Sequence, residues 1–161
     1  MATNEGRGIT RRTVFGGLAA SAALGLTGAA LATGGKTPTP ETLLNLVTAL
    51  EDVPTEEFDW GTLKWLMSGE NSPGAEQTVG IAQIFPGKGN PVHYHPNCEE
   101  VLYMISGRGI HSLGEERIEL CPGMAIRIPQ DVRHNMVNTG WETIISLVTF
   151  SSGEREAVFL K

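Results

Sequence analysis

An all-β antiparallel sandwich or barrel is the fold class that this 161-residue chain predicts. Three observations carry that reading. From residue 58 onward the apolar runs are short, near-evenly spaced and separated by turn formers. No stretch of helical periodicity lies between them. Glycine is abundant at 20 residues, which suits many tight turns better than a helical bundle. The length fits one ordinary domain.

The amino terminus stands apart from that pattern. Residues 1–32 have a polar start, then Arg11-Arg12, then an apolar run, and they close on the small-x-small pattern Ala30-Leu31-Ala32. The run is glycine-rich and poorer than a membrane span, although an anchor or a disordered tail are the alternatives to a leader. Thr10-Arg11-Arg12-Thr13-Val14-Phe15 resembles the twin-arginine export signal, with Val14 where phenylalanine is usual. The resemblance implies a bacterial protein exported already folded, periplasmic in location, that meets the membrane only during export. Residues 1–32 hold Arg7, Arg11, Arg12 and Glu5, so the remainder of a chain of net charge −6 carries −8. No basic stripe survives, which argues against a nucleic-acid partner.

Residues 33–40 read as a linker. Thr39 is placed to cap a helix whose first turn accepts Pro40. Leu43, Leu44, Val47 and Leu50 recur at helical spacing, which predicts a short amphipathic helix over 40–51, packed on a sheet or a partner subunit. The linker and helix together take residues 33–57, and the strand-rich domain takes 58–161. Its strands are expected at "TLKWLM", "QTVGIAQIF", "EVLYMI", "GIHSL", "RIEL", "MAIRI", "HNMVN" and "TIISLVTF", roughly eight in all. Turn chemistry separates them, as at Gly107-Arg108-Gly109, Gly114-Glu115-Glu116, Pro122-Gly123 and Thr139-Gly140.

The chemistry concentrates in "NPVHYHPNCEEVLYMISG", residues 90–107. His93 and His95 are two apart, so on a strand both imidazoles share a face while Tyr94 turns away. Glu100 has the wrong parity for one continuous strand, and a turn at Pro96-Asn97 would let it open the neighbouring strand and return toward the histidines. His134 heads "HNMVN" 34 residues after Glu100. Three neutral imidazoles and a carboxylate suit Fe, Mn, Ni, Co, Cu or Zn, and four ligands leave positions open for chemistry. Cys98 and Cys121 are the only cysteines. An oxidising compartment permits a bond between them, but two cysteines do not frame a fold.

Gly87-x5-His93-x-His95-x4-Glu100-x6-Gly107 resembles the first motif of the cupin family residue for residue. Gly123-x5-Pro129-x-Asp131-x2-His134-x3-Asn138 resembles the second, except that Asp131 stands where glycine is usual; Asp tolerates the left-handed turn conformation expected there. The resemblance implies a jelly-roll β-barrel with His93, His95, Glu100 and His134 as metal ligands, and Glu99 as the outward-facing or second-sphere carboxylate. One divalent transition metal is implied, Fe or Mn ahead of Ni, Zn, Co and Cu.

Strand parity adds pocket candidates. Met136 and Asn138 share the face of His134, while Leu102 and Met104 share that of Glu100. Gln83, His111 and Arg127 are polar residues inside strand patterns, which could orient a substrate or simply face solvent. A cavity edged by Met and Leu suits a small organic molecule with few charges. The resemblance implies first a dioxygenase-like enzyme, second an isomerase or lyase using the metal as Lewis acid, and third a non-catalytic metal- or sugar-binding module. The resemblance also implies a homodimer, built through the amino-terminal segment.

Overall fold

The fold is that of a computed structural model describing residues 46–160. Among these residues eleven strands form two antiparallel sheets. The first sheet runs β1 (Glu56–Phe58), β2 (Gly61–Met67), β3 (Thr78–Ile84), β10 (Ile144–Phe150), β5 (Glu100–Ser106), β8 (Ala125–Ile128) in spatial order. The second runs β11 (Val158–Phe159), β4 (His93–Tyr94), β9 (His134–Asn138), β6 (Gly109–Leu113), β7 (Glu116–Leu120). The chain begins with β1, β2 and β3 in one sheet; from β3 onward every step except β6–β7 crosses to the other sheet, so the chain wraps back and forth as a double-sheet jelly roll.

All eight strands expected from the sequence are present, and most carry the alternation that a half-buried strand needs, β2 and β7 being the exceptions. β3 and β10 alternate buried and half-buried residues along their whole length, and β5 alternates buried with exposed over Glu100–Ile105. The inward faces meet in one core, with Ile84, Leu102, Met104, Ile128, Ile144 and Phe150 from the first sheet and Leu120 and Met136 from the second. The three further strands have no such signature. β1 is three exposed residues at a sheet edge, two of them glutamates, and β4 and β11 are two residues each.

The helix expected over 40–51 is not found where the chain is described. Residues 46–51 are turn and irregular structure, and 40–45, like the leader, lie outside the described residues. Of the expected stripe, Val47 and Leu50 are described and both are exposed, so they pack on no surface among the described residues, and a helix this short is marginal without packing. The Lys64 ammonium instead takes the carbonyls of Leu50 and Val53, at 2.9 and 3.2 Å.

Two turn positions explain the motif spacings. Gly107 has φ 79°, and a Cβ there would lie 2.8 Å from the Ile144 Cα, so only glycine fits between β5 and β6. Asp131 is the sole non-glycine with positive φ among the described residues, at 64°. Its backbone N–H donates to the His95 carbonyl, so this left-handed turn ties the approach to β9 to the approach to β5. Asp131→Gly is expected to leave stability unchanged or raise it slightly. Asp131→Val should lower it by roughly 1–2 kcal/mol, the cost of a left-handed β-branched residue. Chemical denaturation of the two variants checks this.

Candidate metal centre

The centre is assembled from both sheets. β4 and β9 pair so that His93 and His134 sit directly opposite one another. After His95 the chain turns through Pro96-Asn97 and enters β5 at Glu100, on the facing sheet rather than on the strand next to β4. The sequence expectation of a neighbouring strand is corrected on this point, and the parity problem disappears with it. The carboxylate reaches the histidines across the barrel interior. One ligand atom from each of His93, His95, Glu100 and His134 falls within 4.8 Å of the others, and all four side chains are buried.

The hydrogen bonds around the histidines fix the tautomer that each ring adopts when neutral. His93 Nδ1 donates to the Pro91 carbonyl at 2.9 Å, His95 Nδ1 to Glu156 at 2.6 Å and His134 Nδ1 to Val132 at 2.8 Å. A carbonyl oxygen only accepts, so each Nδ1 carries the proton and each neutral ring presents a bare Nε2 lone pair. For His95 and His134 that atom is 3.2 Å from Glu100 Oε2, another acceptor. Acceptors facing acceptors in a buried site repel unless protons or a cation lie among them. Ring N–H groups held by backbone carbonyls are the usual outer support of metal-binding histidines. The donor set therefore fits a divalent transition metal of nitrogen and oxygen preference.

Electrostatics follow the same arrangement. Burial, then the neighbouring His134, pushes the His93 imidazole down to about 4, which keeps it neutral. Burial by itself raises the Glu100 carboxyl; hydrogen bonds and charge from His134 and then His95, which those rings supply only with a proton on Nε2, outweigh it and hold the group down to about 2. His111, fully buried, is pushed down to about 4 by burial and by His134, whose ring it faces at 5.8 Å and 12°. His111 Nδ1 has no hydrogen-bond partner among the described residues.

These shifts carry a sign. The unfolded chain binds protons at His93 and His111 as pH falls through 6.5, whereas the folded chain resists until about 4. Stability is therefore complete above 6.5 and is lost toward 4, by roughly 3 kcal/mol per group. Urea denaturation of chelator-treated protein across that range should show the loss, and His111→Asn should remove about half of the histidine share. An unchanged pH dependence in that variant contradicts the assignment.

The cluster opens into a cavity of about 430 Å³. Its walls are mainly apolar and aromatic, with Phe58, Trp60, Trp65, Leu102, Phe150 and Phe159 among them. Of the polar and sulfur residues expected in the pocket, His111 and Met136 line it. Gln83, Met104 and Arg127 do not. Gln83 is on the outward face of β3, where its Oε1 accepts from Thr62 Oγ1 at 3.2 Å, while Ala82 and Ile84 face inward. Arg127 is exposed on the outside and donates from Nε to Glu99 at 2.8 Å, which also accounts for Glu99 pointing away from the centre. Met104 is two residues beyond Leu102 and fills the closed core. Asn138 is structural, donating to the Ile84 and Glu142 carbonyls and accepting from Gly140 N–H. Cys98, buried, and Cys121, exposed, are both free thiols, so the permitted disulfide is not formed.

Arg155, Glu56 and Phe159 also line the cavity, and sequence reasoning missed them. Glu56 and Phe159 belong to strands too short to alternate, and Arg155 lies in an irregular segment between β10 and β11, so periodicity offered no signal.

Facing antiparallel sheets around a buried three-histidine, one-carboxylate cluster define the metal-site jelly rolls as a class. Residues 80–150 match the family model of the cupin domain. The chain is 32% identical to the protein SchB of Streptomyces halstedii over 58% of its own length and 68% of that protein. It belongs to the cupin superfamily. It is also 33% identical to the polyketide synthase protein CurC of Streptomyces cyaneus, over 51% of this chain and about half (53%) of that one. The fold matches oxalate decarboxylase of Lactobacillus farciminis with a TM-score of 0.65 and 24% identity, over 68% of this chain and 34% of the decarboxylase.

Proposed function

We propose that this protein is an exported, metal-dependent enzyme that acts on a small, largely apolar organic molecule by dioxygenase-like chemistry. One observation carries the reading: the bare Nε2 atoms of the histidines and the Glu100 carboxylate converge in the wall of a cavity otherwise made of apolar and aromatic groups. Held by His93, His95, Glu100 and His134, a divalent ion such as Fe or Mn would supply open coordination positions for substrate and O₂. The chain's own part is to keep that ion in a dry cavity, to fix the imidazoles through their Nδ1–H bonds, and to orient an apolar substrate against Trp65, Leu102 and Phe150. A polyketide synthase among the relatives supports an aromatic or polyketone substrate.

His111 favours a second reading, isomerase or lyase chemistry on a carbonyl compound. It is a neutral imidazole in the cavity wall, not a member of the ligand cluster, with an unpartnered Nδ1. Such a group can take or return a proton while a metal polarises the carbonyl.

Metal analysis of the purified protein, followed by turnover screens on aromatic and polyketone compounds with and without O₂, separates the readings. Metal-dependent O₂ uptake supports the first, and metal-dependent turnover without O₂ supports the second. Bound metal with neither activity across the panel leaves a binding module and overturns the enzyme proposal. Export fits the same picture, because folding around Fe or Mn before export would avoid competition from Cu and Zn. Zn or Cu in protein exported by its own leader, with Fe or Mn supplied, would count against it. Exposed Leu46, Val47, Leu50 and Phe58 support the homodimer, which light scattering would report as twice the chain mass.

A further inference from the structure

The cavity holds one cation that the metal cluster does not explain. Arg155 is half-buried, and its Cζ lies 4.5 Å from the centre of the Trp65 ring and 5.1 Å from that of Phe150. No carboxylate comes within 4.0 Å of its guanidinium among the described residues, and its side chain donates no hydrogen bond there. A buried or half-buried arginine ordinarily pairs with a carboxylate or phosphate, for which its planar fork is shaped. Here the aromatic faces hold the guanidinium by cation–π attraction and leave its N–H groups uncommitted.

The position of Arg155 is set by the metal centre itself. On one side of it, Asn97 Nδ2 donates to the Glu154 carbonyl at 2.6 Å; on the other, Glu156 N–H donates to Asn97 Oδ1 at 3.0 Å. The Glu156 carbonyl accepts from Nδ1 of the ligand His95 at 2.6 Å. One segment therefore orients both a metal ligand and the free guanidinium, and fixes the distance between them. The charges agree with an anionic ligand. Glu56 and Glu100 are the carboxylates lining the cavity and Arg155 its guanidinium, so a divalent ion leaves the whole at formal charge +1.

We propose that Arg155 binds the carboxylate of an aromatic carboxylic acid, whose ring lies against the aromatic wall beside the metal centre. This deepens the reading of the cavity as a substrate site and rests on it. The carboxylate would take paired N–H donors from the guanidinium, while Trp65 and Phe150 hold the arginine rigid. The polar, charge-assisted contact selects the acid over a neutral compound of the same shape.

The test is calorimetric binding of 2-naphthoate and of its neutral analogue 2-naphthamide to the purified full chain. Wild-type protein should prefer the acid by about tenfold or more, the factor expected of one charged hydrogen-bonding contact. Arg155→Met should reduce the preference to within about twofold, and Arg155→Lys, which keeps the charge but not the fork, should retain part of it. Equal affinity for the two probes in wild type, no binding of either, or a preference that survives Arg155→Met would overturn the assignment; survival would place the carboxylate on the metal instead. Circular dichroism of both variants separates a lost contact from a lost fold. Failure of the enzyme reading has a different mark: no bound metal or no turnover, while the preference for naphthoate stands.

Discussion

Glu100→Gln is expected to stabilise the metal-free protein while abolishing its stabilisation by metal. In the wild type, the carboxylate and the Nε2 lone pairs of His95 and His134 face each other at 3.2 Å with no donor between them when the rings are neutral. A glutamine amide places N–H donors in that position, so two opposed acceptors become satisfied. Relief of buried unsatisfied acceptors is worth roughly 1–3 kcal/mol, and the metal-free variant should melt higher by several degrees. The loaded state reverses the order. Wild type in a metal excess of about 1,000 times the dissociation constant gains about 4.1 kcal/mol, whereas the variant has lost its charged ligand and gains little. Thermal melts with chelator and with added Mn or Zn measure both effects. A metal-free variant less stable than wild type would contradict the acceptor-cluster description.

His95→Ala is expected to lower metal affinity by more than about 100-fold. Losing only the outer hydrogen-bond partner of a ligand already costs 10–100-fold, and this change removes a ligand and frees the Glu156 carbonyl as well. His111→Asn, a change in the same cavity, should leave metal affinity close to wild type because His111 is not in the cluster. Titration calorimetry of the two variants beside wild type decides the point. Equal losses in both would mean that His111 belongs to the centre.

The parts legible in the sequence were those governed by period and by turn chemistry. Residues such as Val79, Ile81 and Gln83 alternate cleanly with buried partners, so β3 could be placed from its pattern alone. The ligand set was legible because His93 and His95 share a strand face and because turn residues at Pro96-Asn97 and at Pro129-Gln130-Asp131 stand just before Glu100 and His134. Asp131 shows the same logic, since its left-handed φ of 64° is what the motif requires of a glycine at that place. Parity, however, says only that residues share a face, not which face lines a cavity. Gln83 and Arg127 were therefore open to two readings, and both face outward. The sheet partner of β5 was also hidden, since a turn between sheets and a turn within one look alike in sequence. Arg155 lay beyond reach for a related reason. Its position depends on Asn97 and His95, some 60 residues earlier, through hydrogen bonds between their side chains and the backbone of Glu154 and Glu156 that no local pattern announces.

The described part of the expected helix, residues 46–51, is not helical, for a reason of packing. Val47 and Leu50 have the right spacing, but the described barrel offers them no surface, and propensity without burial does not sustain so short a segment.

The central claim is that His93, His95, Glu100 and His134 together hold one divalent metal ion. Calorimetric titration of Mn or Zn into chelator-treated wild type, with Glu100→Gln and His95→Ala alongside, tests it most directly. The claim predicts one ion per chain in wild type and the loss of that binding in each variant. No binding by wild type, or binding that persists in both variants, would contradict it.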